Sequence, residues 1–406
     1  MTIDLDKIKK VHFTGIGGVG MSALAVTLAN LGDEVTGADR TLGTRNIRFL
    51  ESLGICCYPD DGTGVDGTVD EVIVSTAIEA DNPGLRAARD FGIPVTHRAV
   101  ALSRALAAKK LVAVVGTCGK STVTAMLGHV LAACGLDPFC VNGANVPGWE
   151  GAVRFGRGAY AVAEVDESDK SLVAFHPYAA LVTNASADHY SKEEMDAVFD
   201  AFIADVKGPV IDGRTLSLAD VPTSIPGRHN RQNAALALEM AKALGCDEAK
   251  ARAALLTFPG VERRLQKYGE KVYDDYAHNP EKLRAMWTTL AETHPTGGVC
   301  AVWRPHGYGP LRKMMEPLAD MFNETVRPCD KLLLLPVYDA GGTADRSVNS
   351  ADLAARLKPG IALCVDSLDA AYAWMAPRYG NFAAFAVCGA RDPELPALAA
   401  RLAQLR

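Results

Sequence analysis

Short apolar runs rich in β-forming residues alternate with longer stretches rich in alanine and leucine along the whole chain. The apolar runs include residues 11–14, 34–37, 69–75, 111–115, 159–164 and 179–183. Two later runs, 332–335 and 383–388, are apolar at every position, which is typical of strands buried on both faces of a sheet. This alternation predicts an α/β fold with parallel sheets covered by helices.

The pattern restarts three times, at Lys10, at Lys110 and near Pro259. A chain of 406 residues is long enough for two or three domains of ordinary size. We therefore predict three domains with mainly parallel sheets and boundaries near 107 and 258. They are an N-terminal Rossmann-like domain (1–107), a central P-loop ATPase-like domain (108–258) and a C-terminal Rossmann-like domain (259–406). Residues 206–226 are irregular, and a helix is expected to begin near His229.

Composition and charge narrow the class of partner. The chain is 49% hydrophobic and 22% charged, as in ordinary globular proteins, and its net charge is 42 − 48 = −6. This mild acidity argues against a nucleic-acid binder, so we expect small-molecule substrates and no nucleic-acid partner. The start lacks the pattern of a signal peptide, and no apolar stretch is long enough to span a membrane. Ten scattered cysteines without paired CxxC elements favour a reducing cytoplasm.

A glycine-rich loop follows the first predicted strand. Residues 15–20 read GIGGVG, and Asp39 closes the next strand about twenty residues later. Glycines let the backbone approach a diphosphate, and a helix N-terminus supplies N–H donors and partial positive charge. The loop predicts a diphosphate site and fits NAD or a UDP-sugar; a tight turn without a ligand is the alternative.

A second loop predicts the ATP site. Residues 116–122 read GTCGKST between the apolar run 111–115 and a helix predicted over 123–134. The loop is two residues shorter than GxxxxGK[ST] but keeps a lysine for the phosphates and a hydroxyl for magnesium. The predicted ATP-binding residues of this loop are Gly116, Thr117, Gly119, Lys120, Ser121 and Thr122.

Polar residues follow the next two predicted strands. Residues 164–169 read EVDESD, and His189 follows the strand 180–182. A bound Mg²⁺ would relieve repulsion among these carboxylates, and His189 is a candidate second metal ligand. A solvated acidic loop and a histidine with an ordinary hydrogen bond are the alternatives.

The ordered motifs of the chain resemble those of the Mur ligase family over nearly its whole length. The motifs lie at 15–22, 75–78, 116–121, 164–169, 183–184 with 188–189, 227–230 with 233–234, 260–264, 274–278 and 305–306. The closest resemblance is to the members that join UDP-N-acetylmuramate to L-alanine in peptidoglycan precursor synthesis.

The resemblance implies an ATP-dependent carboxylate–amine ligase with one domain each for the UDP-sugar, ATP and the incoming amine. ATP and Mg²⁺ would be required, an acyl phosphate would form, and the enzyme would act as a monomer or homodimer. Lys120 would hold the β- and γ-phosphates, while Ser121 and Glu164 would bind one Mg²⁺ and His189 a second.

The resemblance also assigns binding residues in each domain. The UDP-sugar would contact Gly15, Gly17, Gly18, Gly20, Met21, Ser22, Asp39, Ser75 and Thr76. The nucleotide would further contact Asn230, Asn233 and Arg264. Asp275 and His278 would close over the nucleotide and the amine, and the acceptor would contact Tyr276, His306 and Arg312.

Several positions depart from the pattern of the most similar family members. The family usually has His at Cys118 and Asn279, Arg at Gly307 and Pro310, and Glu at Gly342. An arginine fork is a natural partner for an α-carboxylate, so another amine is an open alternative to L-alanine unless Arg304, Arg312 or Arg391 restores the charge.

Three further observations concern the architecture of the central domain and the alternative functions. Only 37 residues, 190–226, separate His189 from Gly227, which predicts that a flanking β-element of the central domain is absent. The glycine loop with Asp39 alone would also suit an NAD-dependent dehydrogenase. The acceptor-side departures would suit an inactive homologue that serves as a binding protein.

Overall fold

The strands assemble into three separate, mainly parallel sheets in a computed structural model that describes residues 9–166, 171–185, 192–339 and 344–405. The predicted α/β fold class is therefore confirmed. His189, Gly342 and the acidic residues 167–169 lie outside the described residues.

The first sheet has the order β3-β2-β1-β4-β5, and all of its neighbouring strands are parallel. Its elements are β1 (Lys10–Thr14), α1 (Val19–Leu31), β2 (Glu34–Asp39), α2 (Arg45–Ser52), β3 (Cys56–Pro59), β4 (Glu71–Val74), α3 (Pro83–Asp90), β5 (Val95–His97) and α4 (Arg98–Leu106). Strand β2 lies on one side of β1, and β4, which comes later in the chain, lies on the other side. The strand order thus reverses at β1, and ligands of open α/β sheets bind at such a point.

The second sheet has the order β11-β10-β6-β9-β7-β8. Its elements are β6 (Lys110–Val115), α5 (Lys120–Ala133), β7 (Phe139–Val141), β8 (Val153–Arg154), β9 (Tyr160–Glu164), a short 3-10 helix (Ser171–Ala174), β10 (Ala179–Val182), α6 (Lys192–Ala204), β11 (Val210–Asp212), α7 (Arg228–Ala243) and α8 (Glu248–Leu255). Strands β7 and β8 pair antiparallel, and the other pairs are parallel.

One boundary in this region differs from the prediction. Helix α5 begins at Lys120 rather than Val123, because Gly119 takes a left-handed conformation and ends the loop there. The irregular segment 206–226 contains the short strand β11, and α7 begins at Arg228, next to the predicted helix start near His229.

The third sheet has the order β12-β13-β17-β14-β15-β16, with β12 antiparallel to β13 and the remaining pairs parallel. Its elements are β12 (Gln266–Tyr268), β13 (Val272–Asp275), α9 (Pro280–Thr293), β14 (Gly298–Trp303), α10 (Tyr308–Lys313), α11 (Met315–Thr325), β15 (Lys331–Leu334), α12 (Ser350–Ala354), β16 (Ala362–Cys364), α13 (Leu368–Met375), a 3-10 helix (Ala376–Asn381), β17 (Phe382–Cys388) and α14 (Leu395–Leu402).

The apolar strands form the cores of two compact units. The first unit comprises the described residues of 1–224 and 232–261, and the second comprises those of 225–231 and 262–406. One continuous core runs from β1 and α1 through β6 and β9, so the first two sheets share a unit. The predicted boundary near 107 falls between α4 and β6 and remains a prediction. No helix in the described part of the chain is long and apolar enough to cross a membrane.

Candidate active site

The phosphate loop connects β6 to α5 and depends on two glycines. Gly116 and Gly119 have φ angles of 129° and 84°, in the region that favours glycine. A Cβ atom at Gly116 would lie 2.1 Å from Oγ1 of Thr183, and one at Gly119 would lie 2.7 Å from Oδ1 of Asn233. Side chains at either position would therefore collide with neighbouring elements. The loop is shaped by its surroundings as well as by its own sequence.

The first turn of α5 carries the predicted phosphate-binding side chains. Nζ of Lys120 donates a hydrogen bond to the Gly116 carbonyl at 2.7 Å, so the ammonium group lies over the loop. Ser121 and Thr122 are buried on the same turn. The N-terminus of a helix offers free N–H groups and partial positive charge to an anion. This arrangement is suited to hold the phosphates of ATP.

The polar residues after β10 hold the phosphate loop in place. Oδ1 of Asn184 accepts hydrogen bonds from the Thr117 hydroxyl at 2.7 Å and from the Cys118 N–H at 2.9 Å. The Thr183 hydroxyl donates to the Cys118 carbonyl at 2.6 Å. Strand β10 lies directly beside β6, which brings these groups to the loop. Asn184 was not among the predicted site residues, although its place directly after a strand end was a signal for it.

Helix α7 carries the two asparagines that are predicted to contact the nucleotide. Asn230 and Asn233 are three residues apart and therefore share one face of the helix. Asn233 is buried against Gly119 of the phosphate loop. Asn230 is also buried, and its Nδ2 donates to the Pro226 carbonyl at 2.6 Å. The contact with Gly119 joins Asn233 to the phosphate loop.

Glu164 ends β9 at the same sheet edge as the phosphate loop. In the parallel register Glu164 lies opposite Val114, two residues before the loop begins. The N–H of Gly143 donates to Oε2 of Glu164 at 2.8 Å and orients the carboxylate. Gly143 follows β7 and was not predicted, since nothing in its local sequence marks it.

The donor set at this edge fits a magnesium ion. Magnesium prefers oxygen ligands and is commonly held by one or two protein groups together with water and substrate phosphates. The Ser121 hydroxyl and the Glu164 carboxylate are oxygen donors of this kind. Within the described ranges no group of three or more His, Cys, Asp or Glu residues gathers to hold an ion.

The first glycine loop lies at the reversal point of the first sheet. The N–H of Gly17 donates to Oδ2 of Asp39 at 2.9 Å, and Nδ2 of Asn46 donates to the Gly17 carbonyl at 2.8 Å. The other carboxylate oxygen of Asp39 accepts from the Thr41 N–H at 3.0 Å. In this structure Asp39 therefore braces the loop. Asn46 was not predicted.

The other predicted UDP-sugar residues surround this loop. Gly18 is the residue before α1, Gly20 is in its first turn, and Met21 and Ser22 follow on buried positions. Ser75 and Thr76 follow β4, which pairs with β1. Ile78, which follows Thr76 in the same loop, lies close to Gly15. A Cβ atom built on Gly15 would be 3.0 Å from Cδ1 of Ile78. All of these residues belong to one end of the first sheet.

A small, partly open cleft lies between the first turn of α1 and the end of β9 in the first unit. Its lining includes Gly20 from the glycine loop and Glu164 from β9. Arg98, Asp166 and Phe175 complete its polar and aromatic walls. The cleft thus joins the predicted diphosphate site to the predicted metal ligand. Arg98 was not predicted from the sequence.

In the second unit, two adjacent aspartates end β13. Both oxygens of Asp275 accept backbone hydrogen bonds, from Leu265 and from Ala277, each at 2.7 Å. Asp274 is fully buried beside Arg263, and burial raises its pKa to about 6 against the lowering effect of Arg263. Burial also raises the pKa of Asp275. Asp275 thus organises the loops on either side of it.

Two arginines face the ring of Tyr276. The guanidinium carbons of Arg263 and Arg264 lie 5.2 Å and 4.9 Å from the ring centre, within the range of cation–π contacts. Arg263 also donates to the carbonyls of Gly389 and Ala390, which secures it to the end of β17. The predicted nucleotide residue Arg264 and the predicted acceptor residue Tyr276 are therefore neighbours.

Two histidines pack edge to face in this unit. The rings of His278 and His306 are 4.8 Å apart at 71°. Nδ1 of His278 lies 2.9 Å from the Tyr276 carbonyl, which orients the ring. His278 precedes α9, and His306 precedes α10. The predicted residues Tyr276, His278 and His306 are thus brought together.

The arginines near α10 already have carboxylate partners. Arg312 lies 2.7 Å from Asp345 and also donates to Ser347. Arg304 pairs with Asp392, whose side chain is buried. Gly307 caps α10, and the nearest atom to a Cβ built there belongs to Pro310 at 3.5 Å.

Comparison with known proteins agrees with these features. The model of the Mur ligase family, catalytic domain, matches residues 10–110, and that of the Mur ligase, glutamate ligase domain, matches residues 262–391. The UDP-N-acetylmuramate--L-alanine ligase of Rhizobium meliloti is 33% identical, with 86% of each chain covered. The enzyme of the same name from Solidesulfovibrio magneticus is 31% identical, over 82% of this chain and 84% of its own.

A solved structure shows the same architecture. The UDP-N-acetylmuramate-alanine ligase of Thermotoga maritima superposes with a TM-score of 0.77 at 25% identity, covering 97% of this chain and 98% of that one. The fold and the site define an ATP-dependent ligase that forms amide bonds. The chain belongs to the Mur ligase family.

Proposed function

We propose that this ligase joins the carboxylate of UDP-N-acetylmuramate to L-alanine, with ATP and Mg²⁺, in the synthesis of peptidoglycan precursors. The observation that carries the proposal is the cleft lined by both Gly20 and Glu164. A UDP-sugar whose diphosphate lies on the glycine loop would have its carboxylate on the side of this cleft that Glu164 lines. The named relatives support the choice of sugar and amino acid.

The phosphate loop would hold ATP for attack by the sugar carboxylate. A carboxylate oxygen attacks the γ-phosphorus, the bond to the β-phosphate oxygen breaks, and ADP leaves. Lys120 and the N–H groups at the start of α5 stabilise the negative charge on the transferred group. Asn184 and Thr183 keep the loop in the shape that directs those N–H groups.

The acyl phosphate then reacts with the amine. The amine nitrogen attacks the acyl carbon, inorganic phosphate leaves, and the nitrogen loses a proton. Glu164 and Ser121 would hold a magnesium ion, with His189 as the predicted ligand of a second. When bound, magnesium neutralises charge on the phosphate oxygens and orients them.

The second unit would bind the amine. Tyr276, His278 and His306 form one aromatic cluster, and Asp275 secures the loops around it. A neutral imidazole in this cluster can accept the proton that the attacking amine releases. We assign that proton transfer to His278 or His306, with Asp275 acting as a positioning residue.

A different amine is a second candidate acceptor. Gly307 and Pro310 stand where the family usually has arginines, and Arg304 and Arg312 are held by Asp392 and Asp345. An α-carboxylate would therefore have to displace an existing ion pair to bind Arg304 or Arg312. This favours an amine that is larger or has no α-carboxylate.

Phosphate release tests the proposal directly. We expect release that depends on ATP, Mg²⁺ and UDP-N-acetylmuramate together with an amine. Comparing L-alanine, glycine, L-serine and simple alkylamines identifies the acceptor. Efficient use of L-alanine that is lost in Arg304→Ala or Arg312→Ala would reject the altered acceptor. No release with any amine would reject the ligase assignment.

Calorimetry with the full chain separates the ligase from the alternative dehydrogenase. We expect tighter binding of UDP-N-acetylmuramate than of NAD. We also propose that the enzyme works in the cytoplasm as a monomer or homodimer. The ten cysteines are all free thiols, as is usual in a reducing compartment.

A further inference from the structure

Arg98 lies between the two loop regions of the first unit. It is the first residue of α4, and the preceding His97 caps that helix by accepting a hydrogen bond from the Ala99 N–H at 3.3 Å. The capped helix start sets the direction in which the Arg98 side chain leaves the backbone. About a quarter of that side chain is exposed, so it is accessible from the cleft.

The two ends of the Arg98 guanidinium face different loops. Nη1 lies 3.3 Å from the position that a Cβ of Gly20 would take, in the first turn of α1. Nη2 lies 3.3 Å from Oδ2 of Asp166, two residues beyond the end of β9. Arg98 therefore spans from the first turn of α1 to Asp166, which follows β9.

The ion pair between Arg98 and Asp166 is long for its type. Charge-assisted hydrogen bonds between nitrogen and a carboxylate are usually 2.7–2.9 Å. The Asp166 side chain is 39% exposed, so solvent screens the pair. A second carboxylate with two well-placed oxygens can compete for the same guanidinium, because a planar guanidinium binds carboxylates in a bidentate manner.

We propose that Arg98 is a positioning residue that binds the reacting carboxylate of the sugar substrate, taking it in exchange for Asp166. The inference rests on the proposed UDP-N-acetylmuramate substrate. The same cleft is lined by Glu164, so a carboxylate held by Arg98 lies on the side that faces the proposed magnesium ligand. Arg98 would thereby keep the nucleophilic oxygen directed toward the phosphate loop.

A pair of ligands isolates this interaction. UDP-N-acetylglucosamine has the same nucleotide and sugar ring as UDP-N-acetylmuramate but lacks the carboxylate. Calorimetric titrations would compare both ligands, with a non-hydrolysable ATP analogue and Mg²⁺ present, for the unmodified chain and for Arg98→Gln. We expect Arg98→Gln to weaken binding of UDP-N-acetylmuramate about 10- to 100-fold and to leave binding of UDP-N-acetylglucosamine unchanged.

Further variants separate positioning from a structural role. Arg98→Lys should restore part of the lost affinity, and Arg86→Gln, an exposed change on α3, should have no effect. Asp166→Asn removes the competing carboxylate, so we expect the preference for UDP-N-acetylmuramate to be kept or increased. In steady-state kinetics Arg98→Gln should raise the KM for the UDP-sugar and leave the KM for ATP unchanged.

Each result has a defined meaning. If Arg98→Gln weakens both UDP-sugars equally, or neither, Arg98 does not bind the carboxylate and the inference is wrong. If Asp166→Asn and Arg98→Gln reduce the preference equally, the ion pair is only structural. If the unmodified chain does not prefer UDP-N-acetylmuramate to UDP-N-acetylglucosamine, the proposed substrate itself is wrong.

Discussion

The Asn184 side chain binds both backbone polar groups of Cys118. Its Oδ1 accepts a hydrogen bond from the Cys118 N–H at 2.9 Å, and its Nδ2 donates one to the Cys118 carbonyl at 3.0 Å. The side-chain amide of Asn184, which follows β10, thus holds the middle of the phosphate loop that follows β6. Both of these hydrogen bonds use the backbone of residue 118, where the family usually has histidine.

Asn184→Ala should loosen the phosphate loop. Two hydrogen bonds to the Cys118 backbone and one from the Thr117 hydroxyl are removed, each with a net contribution of about 0.5–1.5 kcal/mol. We expect the KM for ATP to rise about tenfold to a hundredfold, with a smaller change in the KM for the UDP-sugar. Asn381→Ala, at an exposed position of the second unit, is the matched control. An unchanged KM for ATP would show that the loop keeps its shape without this side chain.

Lys120→Ala should abolish ATP turnover while the fold is retained. The substitution removes the positive charge that lies over the loop and leaves the buried strand and helix around it unchanged. Phosphate release measures the loss, and circular dichroism and UDP-sugar binding check the fold. Lys250→Ala, an exposed change on α8, controls for general loss of a lysine. Turnover close to that of the unmodified chain would contradict the assignment of the phosphate loop.

Glu164→Gln should raise the Mg²⁺ concentration needed for half-maximal activity. The substitution removes the negative charge proposed to bind the ion, while the amide oxygen can still accept from Gly143. A magnesium titration of phosphate release measures the shift, with Glu150→Gln as an exposed control. If the two titrations coincide, the ion binds elsewhere, and Asp166 with residues 167–169 becomes the preferred location.

His12 should make stability depend on pH between about 4 and 6.5. His12 is buried on β1, and burial lowers its pKa from 6.5 to about 4, against a small raising effect of Asp60. Between these two pH values the His12 ring therefore binds a proton in the unfolded chain but not in the folded chain. The free energy of unfolding is therefore unaffected by His12 above pH 6.5, and it falls by roughly 3 kcal/mol as the pH approaches 4.

Urea unfolding at several pH values checks this dependence. His12→Asn removes the titrating ring and can keep a contact with Thr36, whose hydroxyl lies 2.9 Å from Nδ1. The variant should lose less stability between pH 6.5 and pH 4 than the unmodified chain. His229 has its pKa lowered to about 4 as well, so part of the dependence should remain. Equal losses in both proteins would show that His12 does not control acid stability.

The sequence could predict most of the fold because its signals are local. Fully apolar strands such as 332–335, and glycine loops between a strand and a helix, identify parallel strands wherever they occur. Short strands at sheet edges, such as β8 and β16, were not predicted, because runs of two or three residues have no clear periodicity. The start of α5 was misplaced because the left-handed conformation of Gly119 is visible only in the structure.

The sequence by itself determined the two glycine loops, Lys120 and Glu164, since each follows a strand that its own residues define. Only the tertiary structure decided which groups brace them. Asn184 and Cys118 are 66 residues apart, and Arg98 and Asp166 are 68 apart. The first contact depends on β10 lying beside β6 in the second sheet, and the second depends on how the first two sheets pack within one unit. No local pattern records these contacts, so Gly143 and Arg98 could be connected with the candidate site only in the assembled structure, whereas Asn184 at least follows a strand end that the sequence shows.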